Sequence, residues 1–512
     1  MPEPFAPADA GLRPDDPHDR ALLAAVRPAA WPAPPAAADP YDLVVVGAGT
    51  AGLVSAAIAV GLGARTALVE RRLMGGDCLI LGCVPSKALL RAAHAAHAHG
   101  TAPDDPAAAF TRMRTLRARL AAADSAERFQ GLGADVLFGH ARFTGSDALA
   151  VTDDAGTART LRFRRAIVTA GGRPALPDVP GLAECRPHTN ETIFGLERPP
   201  AHLLVLGGGP IACELAQAFV RLGSRVTLAA NSARLLPRDD ADAAATVARA
   251  LAADGVTLHL QARATAARRD GDGPTTLTVE TPAGTHQLTG DALLVAAGRR
   301  PNVETLALDA AGVEVTGDGI VVDDRFRTAS ARIFAIGDCI AGGPRFTHAA
   351  DAMARLAVPN ALFGGLGGGK RDALVLPWCT YTSPEVAHVG RTADQLARDG
   401  TAHDTITVPL AENDRAVLDG AEDGFFRVHV ERGGDRILGA TLVGPRAGEM
   451  LGEVTLAMTH DLGLGALGRT VHPYPTIGDA FRRAADQRRR ERLTPAARRA
   501  LHAALAVFRR LA

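Results

Sequence analysis

Two stretches of this chain carry the same pattern. YDLVVVGAGTAGLVSAAIAVGLGARTALVE begins at Tyr41, and AHLLVLGGGPIACELAQAFVRLGSRVTLAA begins at Ala201. Each reads as an apolar strand, a glycine turn, an apolar helix and a second strand. No other feature constrains the fold as much. Neighbouring parallel strands need a long crossover connection, and here the helix supplies it. Two such βαβ units predict an α/β chain with two nucleotide-binding domains.

In the first unit Gly47, Gly49 and Gly52 form the spacing GxGxxG between strand and helix. The first glycine permits the tight turn, the second lets backbone approach a pyrophosphate, and the third lets helix pack closely on strand. The helix N-terminus adds amides and a positive dipole end. Glu70 ends the next strand, where a carboxylate can hold a ribose 2′-hydroxyl. In the second unit Gly207, Gly209 and Ala212 repeat the spacing, with alanine in the third place. Ala230 stands where Glu70 sits in the first unit. A 2′-phosphate then meets no carboxylate, and Arg234 is near enough in sequence to meet it, so NADPH is favoured over NADH. Two Rossmann-like sites on one chain suit a flavin with a nicotinamide.

The remaining segments follow from composition and periodicity. Residues 1–40 are rich in Ala and Pro and read as an N-terminal extension. Residues 41–190, 191–304 and 305–373 hold the two nucleotide-binding units. From 374 to 490 strand and helix patterns alternate in a third domain. Residues 491–512 have the pattern of an amphipathic helical tail. The formal net charge is zero, which leaves no whole-chain electrostatic case for nucleic acid or an anionic membrane as partner. The basic run RRAADQRRRERL reads as a solvated helix. The start has no signal-peptide pattern, and no apolar run is uninterrupted enough to span a membrane. Six cysteines are too few for a secreted disulfide scaffold, so a reducing cytoplasm is expected.

Two of the six, Cys78 and Cys83, lie close together in GGDCLILGCVPSKALL. A zinc site would need two more ligands at similar spacing. Cys185, Cys213, Cys339 and Cys379 are scattered singly, so no metal site is expected. A redox pair is the better reading. The stretch is helical in texture before Pro85, which would let the thiols meet across a turn. Lys87 follows at once and is one of only two lysines in the chain. A helix end and a nearby cation both stabilise a thiolate.

GGDCLILGCVPSKALL resembles the redox-active signature of the class I pyridine nucleotide–disulfide oxidoreductases. VTAGGRP, VAAGRRPN, FAIGDC and YTSPEVAHVG extend the resemblance from Tyr41 to about Arg490. LMGGDCL, PRFTHAADAMAR, PWCTYTSPE, DRAVLDG and VHPYPT are most similar to the mercuric-reductase-like branch. The resemblance implies two Rossmann-like domains, an FAD-binding one in two parts (41–190 and 305–373) around an NAD(P)-binding one (191–304), with a C-terminal α+β interface domain and a homodimer. It implies that Cys83 touches the flavin and forms the charge-transfer complex, while Cys78 faces the acceptor. Lys87 would lie beside the flavin, paired with Glu214 on the second glycine-rich helix. A compact ammonium makes a point-charge contact there that a guanidinium does not copy. Asp338 matches the acid that binds the ribityl chain, and Thr347 and Ala141 match backbone contacts to FAD. Gly171, Gly298 and Gly337 lie in the matched motifs and belong with the cofactor contacts.

The resemblance breaks near the C-terminus. In the disulfide reductases a His–Glu pair from the partner subunit serves as acid–base. Here Tyr474 falls on the His position and Asp479 on the Glu position. Tyrosine ionises near pH 10 and is a poor base at neutral pH. The mercuric-reductase-like branch also carries Tyr there. His472 is two residues earlier, and in an extended segment it would share a face with Tyr474. No cysteine follows Cys379, so metal delivery by a cysteine tail is not expected, and Ile80 replaces a common Asn. Three acceptors or roles follow: a soft metal ion or other thiol-reactive small molecule, a lipoamide- or glutathione-type disulfide, or a low-turnover redox sensor. Two further patterns read as decoys. GGLGGGKR lacks the Ser or Thr of a phosphate loop and reads as a loop, and His94, His97 and His99 read as a solvated helix face.

Overall fold

The structure, a computed structural model, describes residues 12–35, 39–98 and 104–511. The expected extension contains a packed helix, α1 (Pro17–Val26). Asp16 caps it by accepting the amides of His18 and Asp19 at 2.9 and 2.8 Å, and Pro17 opens the first turn. Leu22 and Val26, four apart on one face, are fully buried. Flanking Ala and Pro hide this helix from a compositional reading.

β1 (Tyr41–Val46) leads through the glycine turn into α2 (Thr50–Gly61) and β2 (Thr66–Glu70). After the helical insertion come β3 (Asp135–Phe138), β4 (His140–Gly145), β5 (Ala148–Thr152) and β6 (Ala158–Val168). They form one sheet in the order β3-β2-β1-β6-β5-β4, with Ile333–Ala335 also paired to β6. The pairs of β1 with β2 and with β6 are parallel, with Val45 opposite both Leu68 and Ile167. A parallel sheet is covered on both faces, which is why Leu43–Val46 reads as an unbroken apolar run.

Among its described residues the insertion carries the α-helices α3 (Gly76–Ile80), α4 (Cys83–Ala98), α5 (Ala107–Leu120) and α6 (Ala126–Leu132). Among the described residues, one helical stretch, Gly76–Ala98, has the length and composition of a membrane span. It is interrupted at Leu81 and Gly82, and half of it is buried in this protein. The second βαβ unit places α7 (Pro210–Arg221) between His202–Leu206 and Arg225–Ala229, in a four-stranded parallel sheet. A three-stranded antiparallel sheet, 263–290, follows.

Backbone contacts divide the chain into two compact units. One comprises the described residues up to Ala233 together with Asp254–Leu374. The other joins Arg234–Ala253 to the residues from Val375 onward. The second unit is a five-stranded antiparallel sheet with helices. Its core includes Ile406, Val428 and Leu442, with Phe426 edge-on to Phe481 at 4.6 Å. Residues 241–253, helix α8 (Ala241–Ala253), belong here although the sequence sets them in the 191–304 segment. The residues leading into α8 hold it to the sheet: Trp378 Nε1 donates to Asp239 at 2.7 Å, and Thr441 Oγ1 to Asp240 at 2.9 Å. The unit ends in the helices Asp479–Arg492 and Pro495–Leu511.

Candidate active site

Gly47 leaves β1 with φ +108°, and a Cβ there would lie 2.6 Å from the Thr169 carbonyl oxygen. Only glycine fits so tight a turn. Glu70 closes β2 with both oxygens engaged: Oε2 accepts the Ala48 amide and Oε1 the Arg72 amide, each at 2.7 Å. Each oxygen keeps a further lone pair for a hydroxyl. Beside it opens a cleft lined by Gly47, Glu70, Gly139, His140, Ala141 and Asn302. A backbone turn closed to side chains, a fixed carboxylate and an adjoining cleft fit the nucleotide end of FAD.

The cysteines sit directly on this turn. A Cβ on Gly76 would lie 2.7 Å from the Cα of Gly49. Helix α3, which carries Cys78, can therefore approach the dinucleotide turn only through glycine. The break at Leu81–Gly82 then starts α4 at Cys83, so the two thiols belong to two helices. Pro85 falls in the first turn of α4, where its missing N–H has no helical partner to lose, and does not end a helix. Both cysteines are free thiols. The Cys83 sulfur lies 3.4 Å from the hydroxyl of Thr347, the first residue of α9 (Thr347–Leu362).

The environment separates the two thiols. A hydrogen bond from Cys78 holds the Cys83 thiol well below the ordinary thiol range; the Thr347 hydroxyl and the Lys87 ammonium add to it against burial and Glu214. The same hydrogen bond, with burial, pushes Cys78 up. The arrangement thus favours the thiolate at Cys83 and the neutral thiol at Cys78. Lys87, one turn along α4 from Cys83, reaches Glu214 on α7 at 2.7 Å, and Glu214 is buried. This pair joins the cysteine helix to the second glycine-rich helix.

Asp338 lies in a short helical turn after Gly337, and burial pushes its carboxyl up against the pull of Arg299. Arg299 lies 3.5 Å from Asp338, pairs with Asp77 beside Cys78, and donates to the Gly172 carbonyl at 2.9 Å. Gly171 and Gly298 flank the antiparallel pair Gly172–Pro174 with Arg299–Pro301 that brings these groups together. The sequence reading misses Asp77 and Arg299. Their only signal is adjacency to Cys78 and Gly298. It also misses the support from the N-terminal helix. Arg117 pairs with the fully buried Asp19 at 2.5 Å and donates to the Ile80 carbonyl of α3 at 2.9 Å. The Met74 amide donates to the Val26 carbonyl at 3.2 Å, just before the cysteine loop.

Gly207 and Gly209 lead into α7 as Gly47 and Gly49 lead into α2, and Ala212 is buried. Arg234 falls in the second unit and pairs with Asp394 at 3.0 Å. A 2′-phosphate would have to compete with that carboxylate for it. His97 lies 3.6 Å from Asp254, and burial lowers His94 to about 4, so His94 is not on a solvated face. His99 lies outside the described residues. No group of three or more metal-ligating side chains occurs among the described residues. Lys370 of the glycine-rich loop pairs with Asp324 at 2.8 Å.

At the C-terminal segment the structure departs from the shared face expected for His472 and Tyr474. The chain bends at Tyr474 and Pro475, and the two side chains part. His472 is largely buried, with Nε2 3.0 Å from Glu453 Oε2. Tyr474 is 77% exposed and donates to Asp414 at 2.8 Å, a bond that raises its pKa. Asp479 does not meet His472. Burial acts to raise its carboxyl, but Arg483 and Arg482 bring it below the usual range. Glu453, which sequence spacing did not single out, is the carboxylate that the histidine finds.

Fold and site together define a flavoprotein oxidoreductase with two dinucleotide turns and a dithiol. Residues 41–354 match the family described as pyridine nucleotide–disulphide oxidoreductase, and residues 376–485 match its dimerisation domain. The chain is 36% identical to mercuric reductase of Streptomyces lividans over 460 residues, 87% of this chain and 95% of that protein. It is 33% identical to mitochondrial dihydrolipoyl dehydrogenase of Dictyostelium discoideum over 460 residues, 87% and 93% of the two chains. The solved Cu(II) complex of the HOCl-induced flavoprotein disulfide reductase RclA of Escherichia coli superposes with TM-score 0.78 at 27% identity, covering 88% of this chain and 99% of that one. The chain belongs to the pyridine nucleotide–disulfide oxidoreductase family. It is an enzyme of that FAD-dependent class.

Proposed function

We propose that this enzyme passes electrons from NAD(P)H through FAD and the Cys78–Cys83 pair to a soft metal ion or similar thiol-reactive acceptor. The observation that carries the reading is the geometry of the thiols: Cys78 and Cys83 stand on adjoining helices, with the Cys83 sulfur 3.4 Å from the Thr347 hydroxyl and one helical turn from Lys87. FAD, when bound, supplies hydride acceptance from NAD(P)H and two-electron reduction of the disulfide. Gly47, Gly49, Gly52, Glu70, Ala141, Asp338 and Thr347 would hold it, with Lys87 beside the ring. Gly207, Gly209 and Ala212 would hold the nicotinamide dinucleotide. Residues 41–190 with 305–373 form the flavin domain in this reading, 191–304 the nicotinamide domain apart from Arg234–Ala253, which pack with the second unit, and 374–490 the interface domain. The Tyr474 segment would cross to the partner's active site in a homodimer, in a cytoplasmic setting that keeps the thiols reduced.

The metal reading is supported by the mercuric reductases among the relatives and by an exposed Tyr474 in place of a histidine base. A disulfide acceptor is favoured by one specific contact, His472 with Glu453 at 3.0 Å, which provides a histidine–carboxylate pair after all. NADPH oxidation by the holoenzyme decides between them. Hg(II) in excess thiol is set against lipoamide and oxidised glutathione, with wild type beside Cys78→Ser. Cysteine-dependent turnover with Hg(II) alone supports the first reading. Turnover with a disulfide alone overturns it.

A further inference from the structure

The last helix, Pro495–Leu511, buries none of its 17 residues. Leu501, Ala504, Leu505, Phe508 and Leu511 recur at helical spacing and form one continuous apolar face. Phe508 is 69% exposed and Leu511 78%. Arg499, His502 and Arg510 lie on the opposite face, Arg498 and Arg509 flank the apolar one, and the helix contains no Asp or Glu. The preceding helix, Asp479–Arg492, differs on both counts. It buries Phe481, Ala484 and Ala485 in the core, and its arginines have carboxylate partners such as Asp404 and Asp486. The break at Leu493–Thr494 separates the two, and the Thr494 hydroxyl accepts the Ala497 amide at 3.2 Å to start the new helix. The matched dimerisation domain ends at residue 485, before this helix begins.

We propose that Pro495–Leu511 is a docking surface for an anionic phospholipid bilayer, lying flat in the headgroup layer. Its length is roughly 25 Å at 1.5 Å per residue, and its amphipathic pattern suits lying in the interface and not spanning it. The leucines and Phe508 enter the acyl boundary while the four arginines meet lipid phosphates. Charge complementarity selects this occupant. Anionic headgroups meet both the apolar face and the arginines around it at once, whereas a second copy or a neutral groove packed on the apolar face would engage only the leucines and Phe508 and leave the arginines to solvent. The zero net charge of the whole chain hides this local concentration of positive charge.

The test is flotation of full-length holoenzyme with phosphatidylcholine vesicles, with and without phosphatidylglycerol, alongside analytical ultracentrifugation. Wild type is expected to float with the anionic vesicles and not with the neutral ones. Arg498→Gln with Arg509→Gln should weaken binding about tenfold or more, and Leu505→Glu with Phe508→Glu should abolish it, each with the oligomeric state unchanged. Equal recovery of wild type and both variants would overturn the proposal. So would a change of oligomeric state in the Leu505→Glu/Phe508→Glu variant, which would assign the face to a second copy.

Discussion

Lys87 explains itself through its neighbours. It is one of two lysines in a chain that otherwise uses arginine, and its ammonium bridges the cysteine helix to the buried Glu214. Two consequences are measurable. With Cys78 and Lys87 both holding Cys83 in its charged form, alkylation of Cys83 by iodoacetamide should rise at a pH clearly below the ordinary thiol value of about 8.5. Turnover should fall as pH drops through that lowered pKa, because the thiolate is then protonated. Lys87→Gln should shift the alkylation profile upward by about one pH unit. It also removes the ammonium that the buried Glu214 holds at 2.7 Å, which should lower stability by about 1–3 kcal/mol in denaturant titration. An unchanged profile would remove Lys87 from the account of the thiolate. Separately, Cys83→Ser should abolish thiol-dependent turnover with every acceptor, measured as NADPH oxidation.

At the scale of elements, the Cys78 helix α3 is held from two sides. Gly76 lets it rest on the first dinucleotide turn, and α1 with Arg117 supports its far end. Asp19→Ala would leave the Arg117 guanidinium buried without its carboxylate, a loss of about 3–5 kcal/mol. The melting temperature should fall, and the Cys78 thiol should become more open to alkylation under native conditions. A lower melting point with unchanged Cys78 reactivity would mean that α1 stabilises the fold without positioning the thiols. The glycine turns and their strands were legible in the sequence because tight turns and pleated runs are local properties of the backbone. Helix α1 was not, since its apolar face is short and sits among prolines. The start of α4 at Cys83 was not either, because Pro85 reads as a stop and is equally at home in a first turn.

For the whole molecule, the open question is whether one chain holds a complete site. In the proposed dimer the Tyr474 segment serves the partner, so Cys78→Ser and Tyr474→Phe homodimers should each lose most turnover. Dissociated and remixed, they should recover about a quarter of wild-type activity, since half of the chains pair unlike and one of the two sites is then intact. No recovery on mixing, with heterodimers verified by mass, would place a complete site within each chain.

The sequence by itself determined the two βαβ units, the cysteine pair with its lysine, the family and the amphipathic tail. Each of these is written in residues near one another, where turn geometry and periodicity act directly. Only the tertiary structure decided that Arg299 meets Asp77 across 222 residues of chain, that Arg117 meets Asp19, and that His472 finds Glu453 and not Asp479. Buried charges must find partners, and which carboxylate reaches a given cation is set by strand order and helix packing. Spacing along the chain carries no record of that choice.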